Sequence, residues 1–248
     1  MTTVYDHKSP TERLEILSGK LRALWAEILP SLAFVREIQA GPIDPALYAR
    51  YMIETYHYTF HNARNQALVG VRAQGVSPRY TKFCFDHAEE ETGHELMALH
   101  DVQSMGLLPE GARLPSPVRE TEVLVAYLYW ISAFGNPLQR LGYSFWAENA
   151  YEYILPLLAK IRGDLKLKDS QMTFFVAHSD IDQEHAEEVK RVILEHAKRP
   201  EDWVDIEQVM ETSLRLTLAV TDGILRERAN EKAQEKKSQL SPESESCF

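Results

Sequence analysis

Two stretches of the chain carry histidines and carboxylates at the spacing that a helix places on one face. These side chains are His87, Glu91 and His94 in the first stretch, and His178, Asp182 and His185 in the second. Positions offset by four and by seven lie within about 60° of one another on a helix, because each residue turns the chain by about 100°. Two such helices facing each other would enclose two metal ions. The chain is therefore constrained to a fold in which helices from distant segments lie side by side.

A further carboxylate, Glu148, lies in the bulky, apolar run from Tyr143 to Tyr151. An ionised carboxylate in apolar surroundings is very costly unless a cation or strong hydrogen bonds compensate for it. Glu148 is therefore a third candidate part of a metal site, the alternative being that it lies on a solvent-facing side of its helix. Each feature alone is more typical of an ordinary surface or core, but the three together favour a metal site.

The rest of the chain predicts an all-α fold. Ser9, Pro10 and Glu12 form a helix start before apolar residues at helical spacing. Further helices are predicted at about 28–39, 45–75, 77–105, 118–134, 136–162, 169–197 and 203–230, because Gly and Pro cluster between these segments. We expect one domain over residues 1–230 and a polar, disordered tail over 231–248.

Composition argues against several classes of partner. The formal net charge of −10, without a basic stripe, argues against nucleic acid. The N-terminal segment lacks the apolar core of a signal peptide, and the longest apolar stretch, 123–135, is too short to span a bilayer. We therefore expect no membrane partner and a cytoplasmic location. The two cysteines, Cys84 and Cys247, provide neither a disulfide framework nor a thiolate metal site.

The ordered motifs Glu91-x2-His94, Glu148 and His178-x3-Asp182-x2-His185 resemble the haem-oxygenase-like di-iron oxidase and oxygenase superfamily, which includes CADD-like proteins. The resemblance covers residues 10–228 of the sequence. It implies a haem-oxygenase-like bundle of seven or eight helices, a homodimer, and a non-haem di-iron site that activates O₂. Six ligands, three imidazoles and three carboxylates, are typical of such families. The residues that match in number and type are Glu91, His94, Glu148, His178, Asp182 and His185.

The ligand set stays open at several positions. The spacing on the first ligand helix varies within the superfamily, so His87, Glu90 or His100 can replace or join a residue of the matched set. Glu54, on the preceding Tyr-rich helix, is a candidate for an extra carboxylate ligand. Its alternative role is in a substrate pocket or a buried hydrogen-bond network.

The implied activity is the oxidation of a small, amino-acid-derived substrate by O₂, through N-oxygenation, desaturation or carbon–carbon cleavage. A mixed imidazole and carboxylate set without thiolate suits iron or manganese, whereas zinc binds but has no redox chemistry. The expected cofactor is two Fe(II) ions, with O₂ as co-substrate. Arg64 and Arg140 are candidate partners for a substrate carboxylate, although a salt bridge within the protein is the commoner role for such residues.

Other functions of helical bundles fit the same residues less well. Haem oxygenases carry a proximal histidine on the first helix, and residues 9–40 contain none. A metal-free catalyst of the TenA or PqqC type would leave the two stretches of histidines and carboxylates unexplained. The TenA type also carries an acidic residue at a position that Thr55 occupies in this chain. A ferritin-like di-iron bundle would leave His178 unused. The last alternative is a non-catalytic helical protein that binds iron or a partner.

Overall fold

The computed structural model describes residues 2–239, except for the side chains of residues 178–183, 235 and 237–239. Over this range the chain is helical and contains no strand, as the sequence predicted. No helix within the range is both long enough and apolar enough to cross a membrane.

The helices follow one another with short connections. The first half of the chain contains α1 (Pro10–Ile28), α2 (Ala33–Ala40), α3 (Pro45–Thr59), α4 (Asn62–Arg72), α5 (Pro78–Glu90) and α6 (His94–Ser104). The second half contains α7 (Arg119–Ala133), α8 (Leu141–Ala147), α9 (Tyr151–Leu165), α10 (Thr173–His196) and α11 (Pro200–Gln239). Short 3₁₀ turns lie at Leu29–Ser31, Ala73–Gly75 and Asp169–Gln171.

Several helices begin at capping residues that satisfy their free backbone amides. Ser9 and Glu12 form a reciprocal capping box at the start of α1. Asp44 caps α3 and Ser77 caps α5, and in each case a proline follows at the first helical position. These local signals account for the agreement between the predicted and observed starts of the three helices.

Three of the predicted helices are each divided in two, and the prediction of continuous helices there is wrong. The segment predicted at 77–105 breaks at Glu91–Gly93, where Gly93 has a φ of 95°, in the left-handed region that favours glycine. The segment predicted at 136–162 breaks after Ala147, where the side-chain amide of Asn149 donates to the Phe145 carbonyl at 2.7 Å. The segment predicted at 45–75 breaks at residues 60–61. Buried apolar residues recur on both sides of each break, so periodicity alone does not reveal it.

The last helix, α11, continues to Gln239, beyond its predicted end near residue 230. Residues 231–239 of the expected disordered tail are therefore helical, as their Glu, Lys, Gln and Ala content permits. Residues 240–248 lie outside the described part of the chain.

The helices pack so that the ligand-bearing segments become neighbours. Helix α11 packs along α7 and α8, α3 packs on α6, and α10 lies against both α6 and α8. Gly142 of α8 is pressed against α11: a Cβ atom there would collide with the backbone of Ile206 and lie 2.7 Å from the Met210 amide nitrogen. Glycine is therefore required for the close approach of α8 to α11.

Candidate metal centre

The candidate ligands lie at helix ends and on one long helix. His87 is on the last turn of α5, and Glu91 follows directly after that helix. Glu148 follows directly after α8, and His185 is on α10. The helix breaks at Glu91–Gly93 and after Ala147 therefore place two carboxylates in turns that face the same interior region.

His87, Glu148 and His185 form a cluster whose nitrogen and oxygen atoms lie within 4.8 Å of one another. The Nε2 atom of His87 is 3.8 Å from Oε1 of Glu148, and Nδ1 of His185 is 3.7 Å from Oε2 of Glu148. Direct N–H···O hydrogen bonds are about 2.7–3.2 Å long. Two metal–ligand bonds of about 2.1 Å span up to about 4.2 Å. Both nitrogen–oxygen distances are shorter than this span, so these distances and the donor types fit a divalent cation beside Glu148.

A second pair of candidate ligands lies close by. Nδ1 of His94 is 3.7 Å from Oε2 of Glu91, and the side-chain amide of Asn62 donates to the same oxygen at 3.4 Å. Glu91 lines the same cavity as His87 and Glu148. The half-exposed Glu90 places an oxygen 3.6 Å from Nε2 of His185. His94 and Glu91 thus place an imidazole and a carboxylate next to each other beside the cluster.

The two histidines of the cluster have opposite pKa shifts. Burial lowers the pKa of His87 to about 4, so its imidazole is neutral and able to bind metal at neutral pH. The Glu148 carboxylate raises the pKa of His185 to about 9. Burial also raises the pKa of Glu148 itself. The pair of Glu148 and His185 therefore retains one proton at neutral pH when no metal is bound.

The structure brings together part of the predicted ligand set. Glu148 and His185 meet in the cluster, and Glu91 and His94 meet beside it. The backbones of residues 178 and 182 lie within α10, but the side chains of His178 and Asp182 lie outside the described residues. The structure also places His87 in the cluster, a residue that the sequence left open as an alternative ligand. The sequence signal for His87 was its spacing from Glu91 and His94 in the first stretch.

Glu54 does not join this centre. Its buried carboxylate forms a salt bridge with Arg50 at 2.8 Å and accepts hydrogen bonds from the Val118 amide, at 3.1 Å, and from the Thr121 hydroxyl. These contacts satisfy the carboxylate within the protein. Glu54 therefore belongs to a buried polar network, the alternative role considered above. His100, another open alternative, is exposed on α6.

An aromatic cavity of about 150 Å³ adjoins the cluster. An engineered protein cavity of about this volume holds benzene, so the size suits a small molecule. His87, Glu91 and Glu148 lie in the wall of the cavity, together with Arg140. Its aromatic lining consists of Trp25, Tyr51, Tyr58, Tyr143, Trp146, Tyr151, Phe174 and Phe175.

A known protein family matches most of the chain. The family model described as iron-containing redox enzyme matches residues 49–218, a range that includes every candidate ligand named above. The chain belongs to this family. Iron is therefore the metal that the family implies for the cluster, and the histidine and carboxylate donors found here suit it. No curated protein matches the chain.

Solved structures confirm the fold expected for this family member. A domain of unknown function with a heme oxygenase-like fold, from Shewanella denitrificans, is 47% identical, with a TM-score of 0.84 over 95% of this chain and 98% of that chain. A CADD-like protein of unknown function from Nostoc punctiforme is 18% identical, with a TM-score of 0.64 over 86% of this chain and 99% of that one. A TenA homologue from Pyrococcus furiosus is 15% identical, with a TM-score of 0.64 over 86% and 99% of the two chains. The last two likenesses show the fold alone.

Proposed function

We propose that the protein is a non-haem di-iron oxidase or oxygenase that uses O₂ to oxidise a small, amino-acid-derived substrate. The observation that carries the proposal is the convergence of His87, Glu148 and His185 beside the pair of Glu91 and His94, at the wall of one aromatic cavity. Two neighbouring sets of imidazole and carboxylate donors suit two metal ions. Membership in a family of iron-containing redox enzymes supports iron as the metal.

The proposed roles follow from the position of each side chain. His87, Glu148 and His185 would hold one iron, and Glu91 and His94 would contribute to the second. His178 and Asp182 on α10 are proposed to complete the set. The bound iron pair would supply the activation of O₂. Carboxylate ligands suit this chemistry because they offset the added charge of oxidised iron.

The cavity determines which substrates can reach the iron. Its volume of about 150 Å³ favours a small amino acid or amine over a fatty acid. Aromatic walls exclude water from the reacting atoms and orient the apolar part of a substrate. N-oxygenation, desaturation and carbon–carbon cleavage are all compatible with this pocket. We also propose a homodimer, as the family resemblance implies, which sedimentation would test.

The experiment compares Glu148→Gln with a matched control, Glu152→Gln, which changes an exposed carboxylate on the neighbouring helix α9. Both variants are loaded with Fe(II) without oxygen, and iron content, helicity and O₂ uptake in the presence of amino acids are measured. We expect Glu148→Gln to keep the helical fold but to lose iron and O₂-dependent product. Glu152→Gln should match the wild type.

Two outcomes would contradict the proposal. Activity that survives removal of iron by a chelator would favour a metal-free catalyst of the TenA type. Iron binding without product for any amino acid, amine or fatty acid would favour a non-catalytic iron-binding protein.

A further inference from the structure

Arg140 is a buried cation in the wall of the cavity. It lies at the start of α8 and is only 2% exposed. Its Nε atom donates to the side-chain oxygen of Asn65, and Nη1 donates to the Ser144 hydroxyl at 3.0 Å. The guanidinium carbon lies 5.0 Å from the centre of the Tyr143 ring. The partners in these three contacts are neutral. The Glu91 and Glu148 carboxylates interact with Arg140 electrostatically, but among the side chains that the structure describes no carboxylate forms a salt bridge with it.

A buried arginine keeps its charge, because the guanidinium group does not lose its proton in proteins. Such a charge is costly in apolar surroundings unless an anion compensates for it. Glu91 and Glu148 line the same cavity, but in the proposed function both are committed to iron. The positive charge of two ferrous ions exceeds the negative charge of three carboxylate ligands, so the complete centre together with Arg140 carries a net positive charge. An anionic substrate would reduce this net charge.

We infer that Arg140 binds the carboxylate of the substrate, and that the substrates are small carboxylic acids, amino acids included. The inference rests on the proposed function for the role of the iron. The two hydrogen bonds to Asn65 and Ser144 use two of the five N–H groups of the guanidinium and fix its plane. The remaining N–H groups suit a carboxylate, which arginine binds through two parallel hydrogen bonds. The aromatic lining then receives the apolar part of the acid.

Arg64 provides the matched control. It is exposed on α4, its guanidinium lies 3.8 Å from the centre of the Phe60 ring, and it donates to the Phe60 carbonyl. It is not part of the cavity wall. A substitution there removes one positive charge of the same type without touching the proposed anion site.

The test measures the binding of 4-fluorobenzoate and of its neutral isostere 4-fluorobenzamide by ¹⁹F NMR. Wild type, Arg140→Gln, Arg140→Lys and Arg64→Gln are compared, both free of metal and loaded with Fe(II) in the absence of oxygen. We expect the wild type to prefer the acid by at least about tenfold, since hydrogen bonds to charged groups contribute that much or more. Arg140→Gln should abolish the preference and leave amide binding unchanged. Arg140→Lys should retain part of it, and Arg64→Gln all of it.

Several results would overturn the inference. One is a wild type that binds the acid and the amide with equal affinity. A second is a wild type that binds neither probe, with or without Fe(II). A third is a folded Arg140→Gln variant that binds the acid as well as the wild type does. If Arg140→Gln does not fold, the wild-type preference and Arg140→Lys decide the question. The metal-free measurement separates this inference from the proposed function. Acid preference without iron binding would reject only the di-iron centre, and iron binding without acid preference would reject only the role of Arg140.

Discussion

Binding of Fe(II) should release one proton from the pair of His185 and Glu148 at mildly alkaline pH. Glu148 raises the pKa of His185 to about 9, whereas burial holds the pKa of His87 near 4. Histidine and carboxylate ligands must be free of protons to bind a metal. His87 meets this condition throughout the neutral range. His185 and Glu148 must give up their shared proton before they bind iron, so protons and iron compete for these two side chains.

The magnitude follows from that pKa. Well below pH 9 the proton-free fraction of the pair rises nearly tenfold per pH unit, and between pH 7.5 and 8.5 the apparent affinity for Fe(II) should rise about eightfold. The dependence should flatten above pH 9. An ordinary histidine, with a pKa of about 6.5, is already about 90% neutral at pH 7.5. Other histidine ligands of ordinary pKa therefore contribute little in this window.

The assay is anaerobic calorimetry at pH 7.5 in two buffers that differ in ionisation enthalpy, which counts the protons released per chain. Titration of histidine Cε1–H signals by NMR in metal-free protein gives the pKa of His185 directly. In Glu148→Gln this pKa should fall towards the ordinary value, because the carboxylate that raises it is gone. An affinity that does not change between pH 7.5 and 8.5, with no proton released, would show that iron does not displace a proton from His185 and Glu148.

Other substitutions test the packing around the site. Glu54→Ala should lower the free energy of unfolding by about 3 kcal/mol, because Arg50 and the buried amide of Val118 lose the carboxylate that accepts their hydrogen bonds. The iron content of this variant should stay unchanged. Loss of an iron from that variant would instead make Glu54 a ligand. Gly142→Ala should cost about 3 kcal/mol or more in urea unfolding, since its Cβ would collide with α11. Gly163→Ala, with open space around it, should stabilise α9 by up to about 1 kcal/mol. Gly93→Ala should cost about 1–2 kcal/mol because φ is 95° there, and a smaller loss would contradict the need for a left-handed residue.

Local signals made much of the fold predictable from the sequence. The offsets of four and seven between His178, Asp182 and His185 required one continuous helix, and α10 is continuous over that stretch. The cost of burying Glu148 without compensation predicted a nearby partner for its carboxylate, and Oε2 of Glu148 lies 3.7 Å from Nδ1 of His185. The first prediction depends on the geometry of a single helix, and the second depends on the apolar residues that flank Glu148 in the sequence.

The remaining features depend on how the helices pack against one another, and the periodicity of the sequence gives no information about that packing. Helices α5 and α6 are separate because Gly93 adopts a left-handed conformation. Across the break, Oε2 of Glu91 still lies 3.7 Å from Nδ1 of His94. Whether His87 or Glu91 meets Glu148 depends on how α5 is rotated towards α8. Glu54 illustrates the same limit, because its partner Val118 lies 64 residues away in the chain.

Whether this chain holds two iron ions in one site is measured most directly by anaerobic Fe(II) titration of metal-free protein, followed by exposure to O₂ while Mössbauer spectra are recorded. We predict two irons per chain that convert to a magnetically coupled di-ferric state, in the presence of a small carboxylic acid if substrate is needed to trigger the reaction. Less than one iron per chain, with no coupled state under any condition, would contradict it.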